Sequence, residues 1–178
     1  MEIINRPILI KISLICFLSA LFFGCGYSFN PRGESIDGHI QKVYVESFGN
    51  KTSQAEIENY FRTAFINQFI QNSRFKVVSG TEGADAIVRG KIINFNTSPL
   101  SYVKSGLAAE ERAAVTLDLT FEDTANSKII WSSKNMTNSI DYSLNEDINL
   151  LPSVRKQALR KLANDMAEKA FNLMMSGF

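Results

Sequence analysis

The sequence contains very few of the residues from which most catalytic and metal sites are built. Histidine occurs once, as His39, and cysteine twice, as Cys16 and Cys25. A metal site made of His and Cys needs several ligands at set spacing, and common nucleophile–base pairs need a His base. Glu110 and Glu111 are adjacent, so a strand would point them in opposite directions, and we interpret them as a solvated strand end. The composition therefore predicts a protein that is not an enzyme and that holds no metal and no cofactor, although a lysine base remains open.

Long apolar runs are also scarce, and the one at the N-terminus is too short to span a membrane. Residues 12–23 carry no charge and follow Arg6 and Lys11, whereas a spanning helix needs about 20 apolar residues. Basic residues followed by a short apolar run are typical of a secretory signal. An ordinary signal peptide and an N-terminal anchor helix are both compatible with this run.

The end of the apolar run resembles a bacterial lipoprotein signal, in which cleavage falls just before a cysteine that then carries lipid. Gly24 is the small residue at the cut and Cys25 is the cysteine. Such signals usually have Leu three residues before the cysteine, where this chain has Phe22. Gly26 favours sorting to the outer membrane, by resemblance to enteric sorting rules. The resemblance predicts a signal peptide over residues 1–24, lipidation of Cys25 and an anchor of more than one acyl chain, because a single chain binds only marginally.

Removal of residues 1–24 would leave 154 residues, enough for one domain with a substantial core. The mature chain would have 17 basic and 17 acidic side chains. This balance gives no bulk attraction to nucleic acid, and no nucleic-acid partner is expected. With Cys25 acylated, no second cysteine remains for a disulfide. Residues 25–38 are rich in Gly, Ser, Asn and Pro and are predicted to form a lipidated tether, followed by a single domain over residues 39–178.

Hydrophobic periodicity predicts five strands and two amphipathic helices. Ser53 and Glu56 have the spacing of a capping box at the start of the first helix, and Pro152 begins the second. Gly90 is predicted to form a bulge where the apolar phase of its strand shifts. Residues 96–110 are expected to be a loop at the tip of a long hairpin. The predicted order is strand 40–48, a helix from about 53 to 72, strands 74–78, 84–95, 112–123 and 128–140, and a helix from about 152 to 175.

The strand over residues 112–123 alternates strictly between apolar and polar side chains, which is typical of a half-buried antiparallel strand. Two amphipathic helices need an apolar surface to cover, and a sheet of this kind provides one. The first two strands, joined by a helix, are predicted to be parallel through a right-handed crossover. The expected fold is of the α+β type: a two-layer sandwich with two helices on one face of a mixed, mostly antiparallel, four- to five-stranded sheet. The other face of strand 112–123 would then point outward.

Several segments together resemble the LptE family of lipoproteins, which are subunits of the outer-membrane lipopolysaccharide translocon. They are the "GCGYSF" start, the "VYVESFGNKT" strand and turn, the capped helix, "ADAIVRGKIINF", and the loop before "RAAVTLDLTF". The resemblance implies two helices on a mixed sheet. It also implies an outer-membrane lipoprotein, anchored through its acyl chains on the periplasmic side, that plugs and helps assemble the LptD barrel and binds lipopolysaccharide during its insertion at the cell surface.

The resemblance also implies basic residues that contact the phosphates of lipopolysaccharide. Lys104 matches a basic residue at the tip of the hairpin loop in the family. Arg155 and Lys156 are the nearest candidates for a second contact near the start of the last helix. A lysine would act there as a point charge rather than as a bidentate fork.

Two other functions remain open, because a similar strand and helix occur in other envelope lipoproteins. One is a lipoprotein that regulates a peptidoglycan synthase, and the other is a secretion-pore lipoprotein. A pore needs strands that alternate over about 9–11 residues, and only residues 112–123 alternate that cleanly. A synthase activator commonly has a longer tether than residues 25–38 provide.

Overall fold

The computed structural model describes residues 36–102, 108–144 and 148–176. Within these ranges, neither helix combines the length and the apolar composition needed to cross a bilayer. The predicted order of strands and helices is confirmed, with one additional two-residue strand. In chain order the elements are β1 (Lys42–Val45), β2 (Gly49–Asn50), α1 (Ile57–Gln71), β3 (Lys76–Val78), β4 (Ala86–Tyr102), β5 (Ala108–Asp123), β6 (Ile129–Ser143), a 3₁₀ turn (Ile148–Leu150) and α2 (Leu151–Ser176).

The strands form one mixed sheet in the order β3-β1-β4-β5-β6, with β2 pairing beside β4. The predicted parallel pairing of β1 with β3 is confirmed. β1 also pairs in parallel with β4, which the sequence did not predict. β4, β5 and β6 form antiparallel ladders. The predicted α+β sandwich is confirmed, because both helices pack on this sheet.

The two helices bury the apolar stripes that the sequence indicates. The buried side chains of α1 are Ile57, Phe61, Ala64, Phe65 and Phe69. The ten buried α2 side chains are Ala158, Leu159, Leu162, Ala163, Met166, Ala167, Ala170, Phe171, Met174 and Met175. They close a continuous core with the inner face of the sheet.

The predicted capping box at α1 is wrong. Glu56 precedes the helix with φ 61°, in the left-handed region, and no side chain caps the first turn. A capping box requires an extended N-cap residue, and the chain instead reaches α1 through a side-chain-bonded turn. There Asn50 Oδ1 accepts from the Thr52 backbone N–H at 2.8 Å, and Thr52 Oγ1 accepts from the Gln54 N–H at 3.2 Å. Pairing of β2 with β4 fixes this turn, because Asn50 belongs to β2. The sequence around Ser53 does not reveal that pairing.

The predicted bulge at Gly90 is also wrong, because the register shifts between Ile92 and Asn94. Gly90 has a different structural role: a Cβ at this position would lie 2.3 Å from Cε2 of Phe48. The residue must be glycine because the buried Phe48 ring covers its backbone. The bulge after Ile92 keeps Phe95 on the same face as Ile92, opposite Val115 of β5.

β4 and β5 form a hairpin that is longer than predicted, since they run through most of residues 96–110. At about 3.3 Å per residue, β4 extends on the order of 50 Å. Of the described β4 side chains, none after Ile92 is buried. The polar composition of this part of the hairpin predicted a loop. The two strands nevertheless pair here, because the hydrogen bonds between their backbones do not require a buried face.

The outward face of the sheet is polar, as the alternation of β5 predicts. From Glu111 to Asp123 the inward side chains of β5 are buried and the outward ones are at least partly exposed. Arg112 bonds Asp141 of β6 through two nitrogens, at 2.6 and 2.8 Å. Arg89 of β4 bonds Glu122 of β5. These four charges therefore neutralise one another across neighbouring strands.

The chain enters the domain at one end of the sheet, which we call the entry end and define by residues 36–42. Ile36 is buried, and its carbonyl accepts from Arg74 Nη2 at 2.6 Å. Asp85 Oδ2, just before β4, accepts the backbone N–H of Lys42 at 2.7 Å. β4 begins here and carries the hairpin to the opposite end, which we call the tip end.

Candidate functional site

An open cleft of about 580 Å³ lies between the starts of the two helices, toward the tip end. The segment before α1 and the first turns of α1 and α2 form its walls, and strands β4, β5 and β6 contribute its floor. Its lining combines charged and aromatic side chains: Glu56, Tyr60, Phe95, Tyr142, Arg155 and Lys156 are among them. Such a mixture suits a polar ligand that also has a face for stacking or apolar contact.

Arg155 is bound by a buried carboxylate beside the cleft. Its Nη2 lies 2.8 Å from Glu111 Oε1, and its Nε lies 3.3 Å from Glu111 Oε2. Tyr142 donates its hydroxyl to Glu111 Oε2 at 2.6 Å. The side chain of Glu111 is 10% exposed, whereas that of Arg155 is 52% exposed. This cluster of Glu111, Tyr142 and Arg155 fastens β5 and β6 to the start of α2.

Hydrogen bonding and burial shift the acid–base properties of this cluster. The hydrogen bond from Arg155 lowers the pKa of Glu111, and the bond from Tyr142 adds to the effect, against the opposing influence of burial. Burial, together with the bond to Glu111, raises the pKa of Tyr142 to about 12. Glu111 is therefore an ionised acceptor and Tyr142 a neutral donor at neutral pH.

The interpretation of both acids as a solvated strand end is wrong for Glu111. Glu110 is exposed and accepts from the Ser101 hydroxyl at 3.1 Å, whereas Glu111 is buried. The alternation of the strand would have indicated that Glu111 is buried, because Glu111 has the same phase as Ala113 and Val115, which point inward. A carboxylate at an inward position needs a cationic partner. No sequence pattern identified that partner, because it lies on α2, 44 residues further along the chain.

The structure brings together two of the four residues predicted to bind ligand or carry lipid. Arg155 and Lys156 both line the cleft. Arg155 already shares its charge with Glu111, so Lys156 is the more available of the two cations. Cys25 and Lys104 lie outside the described residues.

His39 lies at the entry end, far from this cleft in the fold. It bridges two carboxylates, with Nδ1 3.0 Å from Asp37 and Nε2 3.2 Å from the buried Asp123. The bond with Asp37 raises the pKa of His39. Asp123 also accepts from the backbone N–H of Ala125 at 2.8 Å. In the described part of the chain, no group of acidic, His or Cys side chains is placed to hold a metal ion, and we interpret His39 as a residue that secures the entry segment.

The lowered pKa of Glu111 predicts an acid-dependent contribution to stability. A depressed folded-state pKa means that the ionised form stabilises the fold above the ordinary value of about 4.3, and that this stabilisation is lost as the pH falls through the lowered pKa. The melting temperature of Glu111→Gln should therefore be well below that of wild type at pH 7, and the difference between the two melting temperatures should disappear toward pH 3. Thermal unfolding across this range is the measurement. Glu110→Gln is the matched control, and a gap for Glu111→Gln that does not change with pH would contradict the prediction.

Solved structures of bacterial proteins share this fold at low sequence identity. A candidate lipoprotein from Caulobacter crescentus matches with a TM-score of 0.55 and 11% identity, over 73% of this chain and 88% of that chain. Uncharacterised lipoprotein B from Nitrosomonas europaea matches with a TM-score of 0.51 and 16% identity, over 77% of this chain and 83% of that chain. The PelC dodecamer subunit from Paraburkholderia phytofirmans matches with a TM-score of 0.51 and 12% identity, over 82% of this chain and 94% of that chain. At such identities the likeness establishes the fold alone, an α+β sandwich also found in bacterial lipoproteins.

A protein-family model settles the family. The model of LptE, described as lipopolysaccharide-assembly, matches residues 40–174. Because the match covers most of the sequence, the chain belongs to the LptE family, and the resemblance seen in the sequence is confirmed. This is a family of non-enzymatic envelope lipoproteins. No curated protein sequence matches the chain.

Proposed function

We propose that this chain is an outer-membrane lipoprotein that plugs and helps assemble an LptD-type β-barrel and binds lipopolysaccharide during its insertion at the cell surface. The single observation that carries the proposal is the LptE family match over residues 40–174. The protein acts by binding and not by catalysis. Its partners are the barrel, lipopolysaccharide and, through acyl chains on Cys25, the membrane itself.

The proposed division of the chain is a signal peptide over residues 1–24, a lipidated tether over 25–38 and one domain over 39–178. The direction of the fold supports this arrangement. Residues 36–42 enter at one end of the sheet, and the β4–β5 hairpin extends toward the other. A membrane anchor on the tether would therefore leave the hairpin tip free to reach a barrel.

The outward face of the sheet supports the proposed contact with a barrel interior. Barrel lumens are polar, so a plug needs a polar surface that does not bring uncompensated charge into the lumen. On this face Arg112 pairs with Asp141, and Thr116 lies 3.4 Å from Thr137 through their hydroxyls. Such a surface can meet a wet polar wall without a large desolvation cost.

Replacement of Lys104 tests the proposed glycolipid contact. Lys104→Glu reverses a charge in the segment that joins β4 to β5 in the sequence and should weaken lipopolysaccharide binding by about tenfold, a size common for one charged contact. The measurements are lipopolysaccharide binding by the detergent-purified protein and capture of the barrel from solubilised membranes. Barrel capture should be unchanged. Lys128→Glu, in the β5–β6 turn at the entry end, is the control, and equal binding by both variants would remove Lys104 from the site.

Replacement of Cys25 tests the proposed anchor. Cys25→Ser removes the thiol that would receive lipid, so an uncut and unacylated precursor should accumulate. Metabolic labelling with a radioactive fatty acid and immunoblotting of membrane fractions measure both effects. Cys16→Ser is the matched control and should be processed normally. Normal cleavage and labelling of Cys25→Ser would refute lipidation at this position.

A further inference from the structure

One long edge of the sheet has no neighbouring strand in the described part of the chain. The strand order ends at β6, which pairs with β5 and with no other described strand. β6 has 15 residues, whereas β3 at the opposite edge has 3. An edge strand presents a row of backbone N–H and C=O groups, which a further strand can bind. The two halves of β6, residues 129–136 and 137–143, differ in how open they are to such pairing.

Two hydrogen bonds identify the backbone groups of β6 that point away from β5. Near the tip end, the Leu144 N–H donates to the Ala109 carbonyl at 2.8 Å. Near the entry end, the Asp123 N–H donates to the Lys128 carbonyl at 2.9 Å. The direction of the N–H and C=O groups alternates along an antiparallel strand, so the odd-numbered residues of β5 face β6. The β6 residues opposite the even-numbered ones point outward, and they include Ser132, Thr137, Ser139, Asp141 and Ser143.

The half of β6 nearer the entry end is protected against pairing with a further strand. Both register shifts of the described β5–β6 ladder lie in this half. Beside one of them, Asn135 has φ 54° and donates its N–H to the Asp118 side chain at 2.9 Å. At the boundary of the two halves, the outward carbonyl of Thr137 accepts from Lys169 Nζ of α2 at 3.2 Å. Bulges and lysines at an edge are devices that prevent edge-to-edge pairing.

Residues 138–143 lack these devices. The ladder with β5 is regular from Met136 to Ser143, and Ser139, Asp141 and Ser143 are exposed. The charge of Asp141 is paired with Arg112 at 2.6 Å on the outward face of the sheet. This stretch therefore presents outward backbone donors and acceptors beside small or neutralised side chains, which suits an added strand and no charged ligand.

The position of α2 favours a lone extended segment over a second copy of this chain. α2 packs more closely over β6 than over β5, and its Lys169 reaches the β6 backbone. Antiparallel pairing of two β6 strands would place both α2 helices on one face, over strands about 4.8 Å apart. Packed helices are about 8–10 Å apart, so a second copy would be crowded there. An extended segment with no covering helix meets no such obstacle.

We propose that residues 138–143 of β6 pair with an extended segment of the barrel protein, which adds a strand to the sheet. The proposal rests on the proposed function and specifies how the plug is held, namely by main-chain hydrogen bonds at this edge. The strands of a closed barrel have no free edge, so the added segment belongs to a loop or a terminus of the barrel protein. The outward face of the sheet borders this edge, so one approach of the barrel covers both.

Proline at an outward position tests the pairing without removing a bond of the β5–β6 ladder. Ser139→Pro deletes an N–H that points away from β5, and proline is tolerated at such edge positions. The full-length variant should therefore fold as wild type does, which thermal unfolding verifies. It should capture about tenfold less barrel protein from solubilised membranes, the effect of one lost main-chain bond together with obstruction by the ring.

The matched control is Ser132→Pro, the same substitution at an outward position in the protected half of β6. Ser132 lies opposite Thr120, and this variant should capture the barrel as wild type does. Ser139→Thr keeps the outward N–H and should also capture normally. Equal capture by Ser139→Pro and wild type, or equal losses in Ser139→Pro and Ser132→Pro, would overturn the proposal.

Hydrogen exchange of the wild-type protein provides a measurement that does not depend on the folding of a variant. The outward amides of Ser139 and Asp141 should exchange at least about tenfold more slowly in the captured complex than in the free protein. Unchanged exchange there would overturn the proposal, as would a wild-type homodimer that Ser139→Pro abolishes. In each of these cases, capture of the barrel by wild type leaves the proposed function standing, whereas its absence contradicts the proposed function itself.

Discussion

Phe69→Ala should have a free energy of unfolding about 3–5 kcal/mol lower than that of wild type, the range measured for buried Phe truncations. Phe69 is fully buried at the centre of an aromatic cluster. Its ring centroid lies 5.1 Å from that of Phe171, 5.5 Å from that of Phe75 and 5.9 Å from that of Phe121. Phe69 and Phe171 belong to the two helices, Phe75 lies just before β3 and Phe121 belongs to β5, so the truncation opens a cavity where both helices meet the sheet.

Urea unfolding followed by circular dichroism measures this loss, and the neighbouring residue provides the control. Ile70 is 61% exposed on the same helix, so Ile70→Ala should change the free energy of unfolding by no more than about 0.5 kcal/mol. Equal losses in the two variants would show that Phe69 is not at the centre of the core.

Gly90→Ala should destabilise the fold by about 2–3 kcal/mol, the upper part of the usual overpacking range. The added Cβ would lie 2.3–2.5 Å from three atoms of the Phe48 ring. That ring cannot move away easily, because Phe48 is 4% exposed and its centroid lies 5.2 Å from that of Phe65. The clash therefore has to displace either β4 or a ring held by α1.

Two further variants separate this clash from a general effect of alanine in place of glycine. Gly80 has open space around its Cβ position and no positive φ, so Gly80→Ala should be neutral or slightly stabilising. In a Phe48→Ala background, Gly90→Ala should cost less than about 0.5 kcal/mol, because the obstructing ring is absent. The same urea titration measures wild type, Gly90→Ala, Gly80→Ala, Phe48→Ala and the double variant, and an undiminished cost of Gly90→Ala in the Phe48→Ala background would exclude Phe48 as the cause.

Much of the fold was predictable because it depends on the side chains of single elements. The alternation along residues 112–123 and the helical spacing from Ile57 to Phe69 each indicate which face is buried, and the burial confirms both. The errors fall where an element depends on a distant partner. Ser53 and Glu56 match a capping box, but the pairing of β2 with β4 sets the backbone there. Gly90 is explained by Phe48, which comes from a different part of the chain.

The candidate site was predictable only in part, for the same reason. Arg155 and Lys156 were identified through the family resemblance, and both line the cleft. Glu111 and Tyr142 were missed, although the phase of β5 places Glu111 on the buried face. Their roles depend on contacts between β5, β6 and the start of α2, which no local pattern encodes.

The amino-acid sequence by itself determined the order of strands and helices, the faces they bury and the family, because periodicity and motif order are local properties of the chain. The tertiary structure alone decided the cleft, the pairing of Glu111 with Arg155 and the reason for glycine at position 90. Each of these depends on side chains distant in sequence that meet only when the sheet and both helices have packed together.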